Sequence, residues 1–460
     1  MNSIPTNLAN NLKDAYRACE LRPLDSEDIE RYYVDLSEVR KTDAIFQVNT
    51  ILDFQEPEEF TTILFTGHRG CGKSTELKRI QEKWKEDYLI IYVEADEEID
   101  IKDARYTDLY LVIIKQVEYE LRKKGIKFDQ QLLNDFESWF KEVIKEDEQT
   151  VEKSVSATGT LEVNSSPIPV PFIAKLLVKL LAQIKGSERS KKTIRQTLEQ
   201  DISRLQSDIN LLLRDGVKKL REKFNNQYKG FLIIFDNLDR VYPKVGDELF
   251  FDNAFQLREL DCNIIYTVPI SVLYSPKGIR NFFDTPNIVP MINIYFLDYQ
   301  EVDDLKYNEN ALKAVASLIE KRVNIEEVFE SEQDLLTLAK ASGGHVRQLM
   351  QMMRAACIIA SSKGKTKIDA QDVSYAVKRE QFDFERLIPH EHYSILAEVY
   401  LTKDIGKNEI GQQMLFNTSV LEYNGDARWN YLNPVVKQSD LFQQALKDKK
   451  AQDLDSSTNA

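Results

Sequence analysis

The chain predicts an α/β fold with a mainly parallel sheet, helices on both of its faces, a helical segment after it and a hairpin-bearing module at the end. Three observations carry this. Short apolar runs, Ile63-Leu64-Phe65-Thr66, Leu89 to Val93, Phe231 to Phe235 and Asn263 to Thr267, alternate with helical patterns, as strands buried on both faces do. The first run passes straight into a glycine-rich turn and then a helix, Glu76 to Lys85. From Ala311 the pattern is helical until Asn424-Gly425, which stands between two strand-like runs and signals a hairpin.

Taken in order, residues 1–59 read as a helical, acidic linker segment and residues 60–300 as the α/β base, whose last strand is expected at Ile292 to Phe296. More than a hundred residues separate Val93 from Phe231, far beyond one crossover helix, so an insertion at about 100–228 is expected to interrupt the base. Residues 129–152 of it are acid-rich and a Ser/Thr/Pro-containing loop follows. From Lys175 to Lys229 there are 14 lysines and arginines against 6 acids. Two apolar stripes run through that basic stretch, Ile173, Leu176, Leu177, Leu180, Leu181 and Ile184, then Leu198, Ile202, Leu205, Ile209 and Leu212. Helix packing within the fold explains them; an anionic membrane surface or nucleic acid is the alternative. Residues 301–380 read as four helices, Ala311 to Arg322, Glu332 to Ala341, His345 to Ser361 and Ala370 to Lys378, with Asp369 capping the last. Residues 381–460 combine helices Ser394 to Tyr400 and Gly406 to Phe416 with strands Thr418 to Tyr423 and Ala427 to Leu432, a winged-helix-like arrangement.

The 460 residues suggest two to four domains at roughly 150 each. A formal net charge of −14 repels nucleic acid overall, so any DNA contact needs a local basic patch. Cys19, Cys71, Cys262 and Cys357 form no CxxC pair, which argues against a disulfide framework or zinc site and fits a reducing cytoplasm. Neither a signal peptide nor an 18-residue apolar run is visible.

The strongest chemical signal is Gly67-His68-Arg69-Gly70-Cys71-Gly72-Lys73-Ser74-Thr75, which fits G-x-x-x-x-G-K-[ST] between a strand and a helix. Glycines let successive N–H groups curl around polyanionic phosphate, Lys73 reaches the β and γ phosphates, and Ser74 offers a Mg²⁺ ligand. Cys71 reads as a variable loop position, with an oxidation-sensitive thiol in the same positive field as the alternative. The second signal is the apolar strand Phe231 to Phe235 ending in Asp236-Asn237-Leu238-Asp239-Arg240. A carboxylate at the end of a neighbouring buried strand is placed to hold Mg²⁺, and Asp236 is that residue. Asn237 follows it where a water-activating acid would be useful, and an amide cannot take the proton, so Asp239 is the candidate to do so.

These residues resemble AAA+ P-loop ATPases, particularly the origin-recognition-like branch, with Walker B wording similar to KAP and STAND ATPases. The resemblance implies ATP and Mg²⁺ as cofactors and residues 301–380 as a helical lid over the nucleotide. It implies that Thr267, ending the next strand, acts as a polar sensor, that Arg280 in Lys277-Gly278-Ile279-Arg280 reaches a neighbouring subunit's nucleotide, and that Arg347 in Ser342-Gly343-Gly344-His345-Val346-Arg347 touches the γ-phosphate. Tyr33, Val34 and Asp35 stand where relatives line the adenine pocket. It further implies an ATPase acting as a conformational or assembly switch, as a homo-oligomer or with a partner effector, in a setting like bacterial stress or antiviral defence. A slow-hydrolysing signalling switch and a DNA-remodelling or loading ATPase are the alternatives.

Two further groupings carry less. In His390-Glu391-His392 alternate residues of a helix point apart, so a solvated turn is expected rather than a metal site. From Glu385 to Lys450 there are 8 basic and 9 acidic residues, a near-neutral balance that favours protein contact over DNA.

Overall fold

The computed structural model describes residues 8–145, 172–186, 188–301, 304–425 and 427–458. The Ser/Thr/Pro-containing loop of the insertion lies outside them, as do the side chains of Ile173, Lys175 and Leu176.

Strands β1 (Thr62–Gly67), β2 (Tyr88–Glu94), β3 (Gly230–Asp236), β4 (Asn263–Pro269) and β5 (Asn287–Ile288) form one parallel sheet in the order β2-β3-β4-β1-β5. The expected base sheet is there. Every residue of the interior strands β3 and β4 is buried, which is why both read as unbroken apolar runs. Because β4 lies between β1 and β3, the ends of these three strands bring the glycine-rich turn, Thr267 and Asp236 to one edge of the sheet.

The last strand is not Ile292 to Phe296. β5 pairs with β1 through Phe65 opposite Asn287 and Thr66 opposite Ile288, and the 292–296 stretch contributes only an isolated bridge between Tyr295 and Tyr307. Pro286 and Pro290 bracket β5, and a proline has no N–H for the ladder, so pairing stops after two residues.

Helices α1 (Leu12–Ala18), α2 (Ser26–Tyr32), α3 (Ser37–Arg40) and α4 (Ala44–Phe54) precede the sheet, and α5 (Lys73–Trp84) follows the glycine-rich turn. The insertion supplies α6 (Tyr106–Lys123), α7 (Gln130–Lys145), α8 (Phe172–Gly186), α9 (Glu188–Gln200) and α10 (Ile202–Lys223). Alternation along β3 separates two cores. Leu232 and Ile234 pack with Leu77 and Ile80 of α5, whereas Phe231, Ile233 and Phe235 pack with Leu109 and Ile113 of α6 and Leu205, Ile209 and Leu212 of α10. The insertion therefore covers the β2 and β3 part of this face, and residues after β3, such as Phe250 against Tyr266, cover the β4 part. Its apolar stripes are spent on this: Leu177, Leu180, Leu181, Ile184 and Leu198 are buried too, so they offer no apolar face to a membrane.

Four helices, α11 (Glu309–Glu320), α12 (Glu332–Ala341), α13 (Val346–Ser362) and α14 (Ala370–Leu387), share the α5 side. Asp369 caps α14 as expected, accepting from the N–H groups of Gln371 and Asp372, an interaction worth about 1 kcal/mol. The chain ends with α15 (His392–Thr402), α16 (Glu409–Phe416), the antiparallel hairpin β6 (Val420–Tyr423) and β7 (Trp429–Leu432), and α17 (Asp440–Thr458). Both hairpin strands are buried throughout, and Tyr423, Trp429 and Tyr431 close around Tyr295 in an aromatic cluster.

Candidate functional site: a phosphate-binding cleft

Gly67 closes β1, and the chain then turns through residues 68–72 so that α5 starts at Lys73. Lys73 is buried, and its ammonium donates to the carbonyls of Gly67 and His68, each at 2.9 Å, and pairs with Asp239 at 2.7 Å. Burial works against the charged form, but Asp239, Cys71 and Asp236 together outweigh it and the ammonium pKa lies above its ordinary value. Gly70 has φ +87°, and a Cβ there would stand 2.5 Å from His345 Cε1 and 2.8 Å from Arg347 Cβ. Only glycine fits both the left-handed backbone and the approach of the lid.

Arg40, at the end of α3, is buried and was not legible as a site residue. Its guanidinium donates to the Cys71 carbonyl, while its Nε has no partner. Across a trans peptide the Cys71 C=O and the Gly72 N–H point in opposite directions, so Arg40 holds the carbonyl on its own side and sets the direction of the next N–H. Cys71 itself is buried, with Sγ 3.4 Å from the Val289 carbonyl oxygen. That burial removes the access an oxidation-sensitive thiol needs, which leaves the reading as a loop position.

On the β3 side, Asp236 is buried and accepts from the Asn237 N–H and the Tyr92 hydroxyl, both at 2.7 Å. Asn237 turns the chain at φ +61° into a short 3-10 helix, Leu238 to Arg240. Thr267 does not face the cleft. Its hydroxyl donates to the Phe235 carbonyl at 2.9 Å and accepts from the N–H groups of Leu238 (2.9 Å) and Asp239 (3.3 Å), so it pins the turn from behind. A hydroxyl spent this way acts on the cleft through Asp239 rather than by touching a ligand.

The lid enters at Ser342 to Arg347. Gly344, at φ +80°, packs so closely that a Cβ would stand 2.1 Å from the Ile292 carbonyl oxygen. The Arg347 N–H donates to the Gly70 carbonyl at 3.1 Å, a direct bond from lid to glycine-rich turn. Burial and the like charges of Arg240 and Arg69 depress the Arg347 pKa. Arg240 is also paired with Asp96, yet the gathering of Arg69, Arg240 and Arg347 at one cleft suits a polyanion.

Together these residues line a cleft of about 940 Å³, its open mouth included, between the base, the lid and the N-terminal segment. Residues 69–76, Asn237, Asp239, Arg240, Val346 and Arg347 line it. So do Tyr33 and Val34, with Leu24, Leu318 and Met350 adding apolar wall for a flat ring. Tyr33 donates to Glu76 at 3.1 Å; Asp35 lies outside the lining and its carboxylate instead accepts from the Ser37 N–H. Ser74 and Asp236 are hard oxygen donors of the kind Mg²⁺ takes, and the Asp236 carboxylate keeps lone pairs beyond the two bonds it accepts. The residues present fit that ion.

Arg280 stands apart, exposed on a short 3-10 turn, Ile279 to Asn281, outside the cleft lining. His390 and His392 take part in no metal-type cluster among the described residues, and His392 is buried rather than solvated. No described helix is long and apolar enough to cross a membrane.

The sheet order, the glycine-rich turn and the cleft together make a P-loop NTPase fold. Residues 43–255 match a KAP family P-loop domain. The KAP-type match spans the P-loop, the insertion and Asp236. No curated protein matches the chain. Among solved structures, the ORC2 protein of Aeropyrum pernix is 12% identical with a TM-score of 0.38, covering 95% of this chain and 98% of that one. A Walker-type ATPase of Pyrococcus abyssi is 12% identical (TM-score 0.41; 94% and 99% covered), and the RuvB Holliday junction branch migration motor of Thermotoga maritima 11% (0.34; 89% and 95%). Likeness this low leaves function to the chain's own residues.

Proposed function

We propose that the cleft binds Mg·ATP between base and lid, and that the chain is an ATPase whose nucleotide state changes its conformation or assembly. The observation that carries this is Lys73, buried at the head of α5 among P-loop carbonyls and facing Asp239, in a cleft where Arg69, Arg240 and Arg347 converge. In this reading Lys73 and Arg347 neutralise phosphate charge, Ser74 and Asp236 hold Mg²⁺, and Asn237 or Asp239 orients water. The bound Mg²⁺ supplies charge neutralisation at the β and γ phosphates. Arg280, exposed and outside its own cleft, serves the site of a neighbouring copy.

A second reading, a slow switch that gates a partner, is favoured by one feature. The residue after Asp236 is an amide, and the next acid, Asp239, is already engaged by Lys73. Little free base remains to activate water, so holding ATP would matter more than splitting it.

ATP turnover measured across protein concentration, with and without duplex DNA, separates these. Specific activity rising steeply with concentration supports an assembling ATPase. Flat, near-zero turnover with ATP bound supports the switch, and DNA stimulation supports a DNA-acting machine. Absence of ATP binding sinks all three.

A further inference from the structure

We propose that His68 is a positioning residue that makes the seating of the C-terminal hairpin depend on phosphate occupancy of the cleft; this rests on reading the cleft as a nucleotide site. His68 is the second residue of the P-loop, yet its buried side chain faces away from the cleft lining and meets the hairpin, where Nε2 accepts from the Glu422 N–H at 2.7 Å. Glu422 stands opposite Asn430 in the hairpin register, at a pair whose N–H groups leave the ladder. Asn430 N–H goes to the Lys403 carbonyl at 2.8 Å, and Glu422 N–H to His68. A buried N–H needs a partner, so the hairpin sits fully bonded only with the imidazole in place.

The other end of His68 is tied to the phosphate-sensing lysine. An ammonium has three N–H donors, and those of Lys73 go to Gly67, His68 and Asp239. A phosphate oxygen gains a donor from Lys73 only if one of these partners gives one up, and two of the three are P-loop carbonyls. Releasing the His68 carbonyl leaves that peptide held by the Cys71 N–H alone, at 3.2 Å, so it can shift, and the imidazole it carries shifts with it. Its Nδ1 is buried, with the Leu415 carbonyl beside the ring. Burial, with His345 and Lys73 nearby, depresses the His68 pKa to about 3, which keeps Nε2 an acceptor.

The hairpin is placed to pass this on. The Glu422 carboxylate accepts from the Tyr274 hydroxyl at 2.5 Å, in the turn that follows β4, and the Tyr423 hydroxyl donates to the Gly343 carbonyl at 2.7 Å, in the lid. P-loop, post-β4 turn and lid turn all meet one four-residue strand.

Amide hydrogen exchange on the full chain, with and without a non-hydrolysable ATP analogue at saturation, tests this. With the analogue bound, the Glu422 amide should exchange about tenfold faster, the factor that losing one hydrogen bond of ordinary strength gives. In His68→Ala that amide should exchange fast with or without the analogue, and His68→Gln, which keeps an acceptor, should restore part of the difference. A general structural role for His68 would not make exchange depend on nucleotide. The comparison in the unsubstituted chain stands even if His68→Ala does not fold. Analogue bound with unchanged Glu422 exchange overturns the coupling alone. Failure of the analogue to bind overturns the nucleotide reading and the coupling with it.

Discussion

Lys73 Nζ lies 2.7 Å from Asp239 Oδ2, with the two side chains only 4% and 7% exposed. The pair joins the head of α5 to the turn after β3, and each charge is kept in the interior by the other. Removing one partner of a buried pair strands its mate, at a cost of about 3–5 kcal/mol. Asp239→Ala should lower stability by that order without nucleotide. ATP supplies replacement negative charge, so thermal unfolding should show a larger ATP-induced rise in Tm for Asp239→Ala than for the unsubstituted chain. An equal rise would mean that phosphate does not reach Lys73.

Arg40 makes a different prediction, because it acts on the P-loop backbone. Arg40→Met keeps much of the packing volume but frees the Cys71 carbonyl, and ATP affinity should fall by about tenfold or more, since hydrogen bonds from charged groups contribute about 1.5–3 kcal/mol. Arg40→Lys should restore little, as a point charge does not reproduce the guanidinium fork. Calorimetric titration with ATP checks both; full affinity in Arg40→Met would remove Arg40 from the site.

Two buried histidines give the protein an acid limit. Burial depresses His68 from its ordinary 6.5 to about 3, and burial with the Arg347 charge depresses His345 to about 4. Their unfolded forms take up protons at pH values where the folded forms do not. The stability they contribute is therefore fully present above about pH 6.5 and is lost as pH falls towards 4 and then 3. Denaturant unfolding between pH 7 and pH 4 should show a shallower decline in His345→Asn, which retains an N-cap acceptor for Gln348, than in the unsubstituted chain. Parallel curves would show that His345 is not buried neutral.

For Arg280 the outcome depends on subunit mixing. Arg280→Ala should leave ATP affinity intact and lower turnover, by as much as about 10³–10⁵ if it acts as a finger in trans. Mixing it with Lys73→Ala should restore partial activity, since a mixed interface pairs an intact cleft with an intact Arg280. Unchanged turnover in Arg280→Ala assigns that exposed arginine no part in catalysis.

What was legible in the chain follows from how local its causes are. Gly67 to Thr75 could be read directly because phosphate binding by backbone N–H groups needs contiguous glycines and an adjacent lysine. The interior strands were readable because burial on both faces leaves them mostly apolar, with polar residues only towards their ends. β5 was misplaced because Ile292 to Phe296 is apolar enough to pair, while the prolines at 286 and 290 decide where pairing stops. Thr267 was placed at the right strand end, but its orientation depends on which groups of the β3 turn lack partners. Arg40 and the contact from His68 to Glu422 left no signal at all. One arginine in a charged segment, and a histidine bonding a backbone amide 354 positions away, have no periodicity to read.

The proposed ATP site in this cleft depends on Lys73. Equilibrium binding of a fluorescent ATP analogue in the presence of Mg²⁺, to the unsubstituted chain and to Lys73→Ala, tests it most directly. Binding should be saturable, displaced by unlabelled ATP and lost in Lys73→Ala, with Lys73→Ala still folded by circular dichroism. Equal binding by both chains, or none by either, would contradict it.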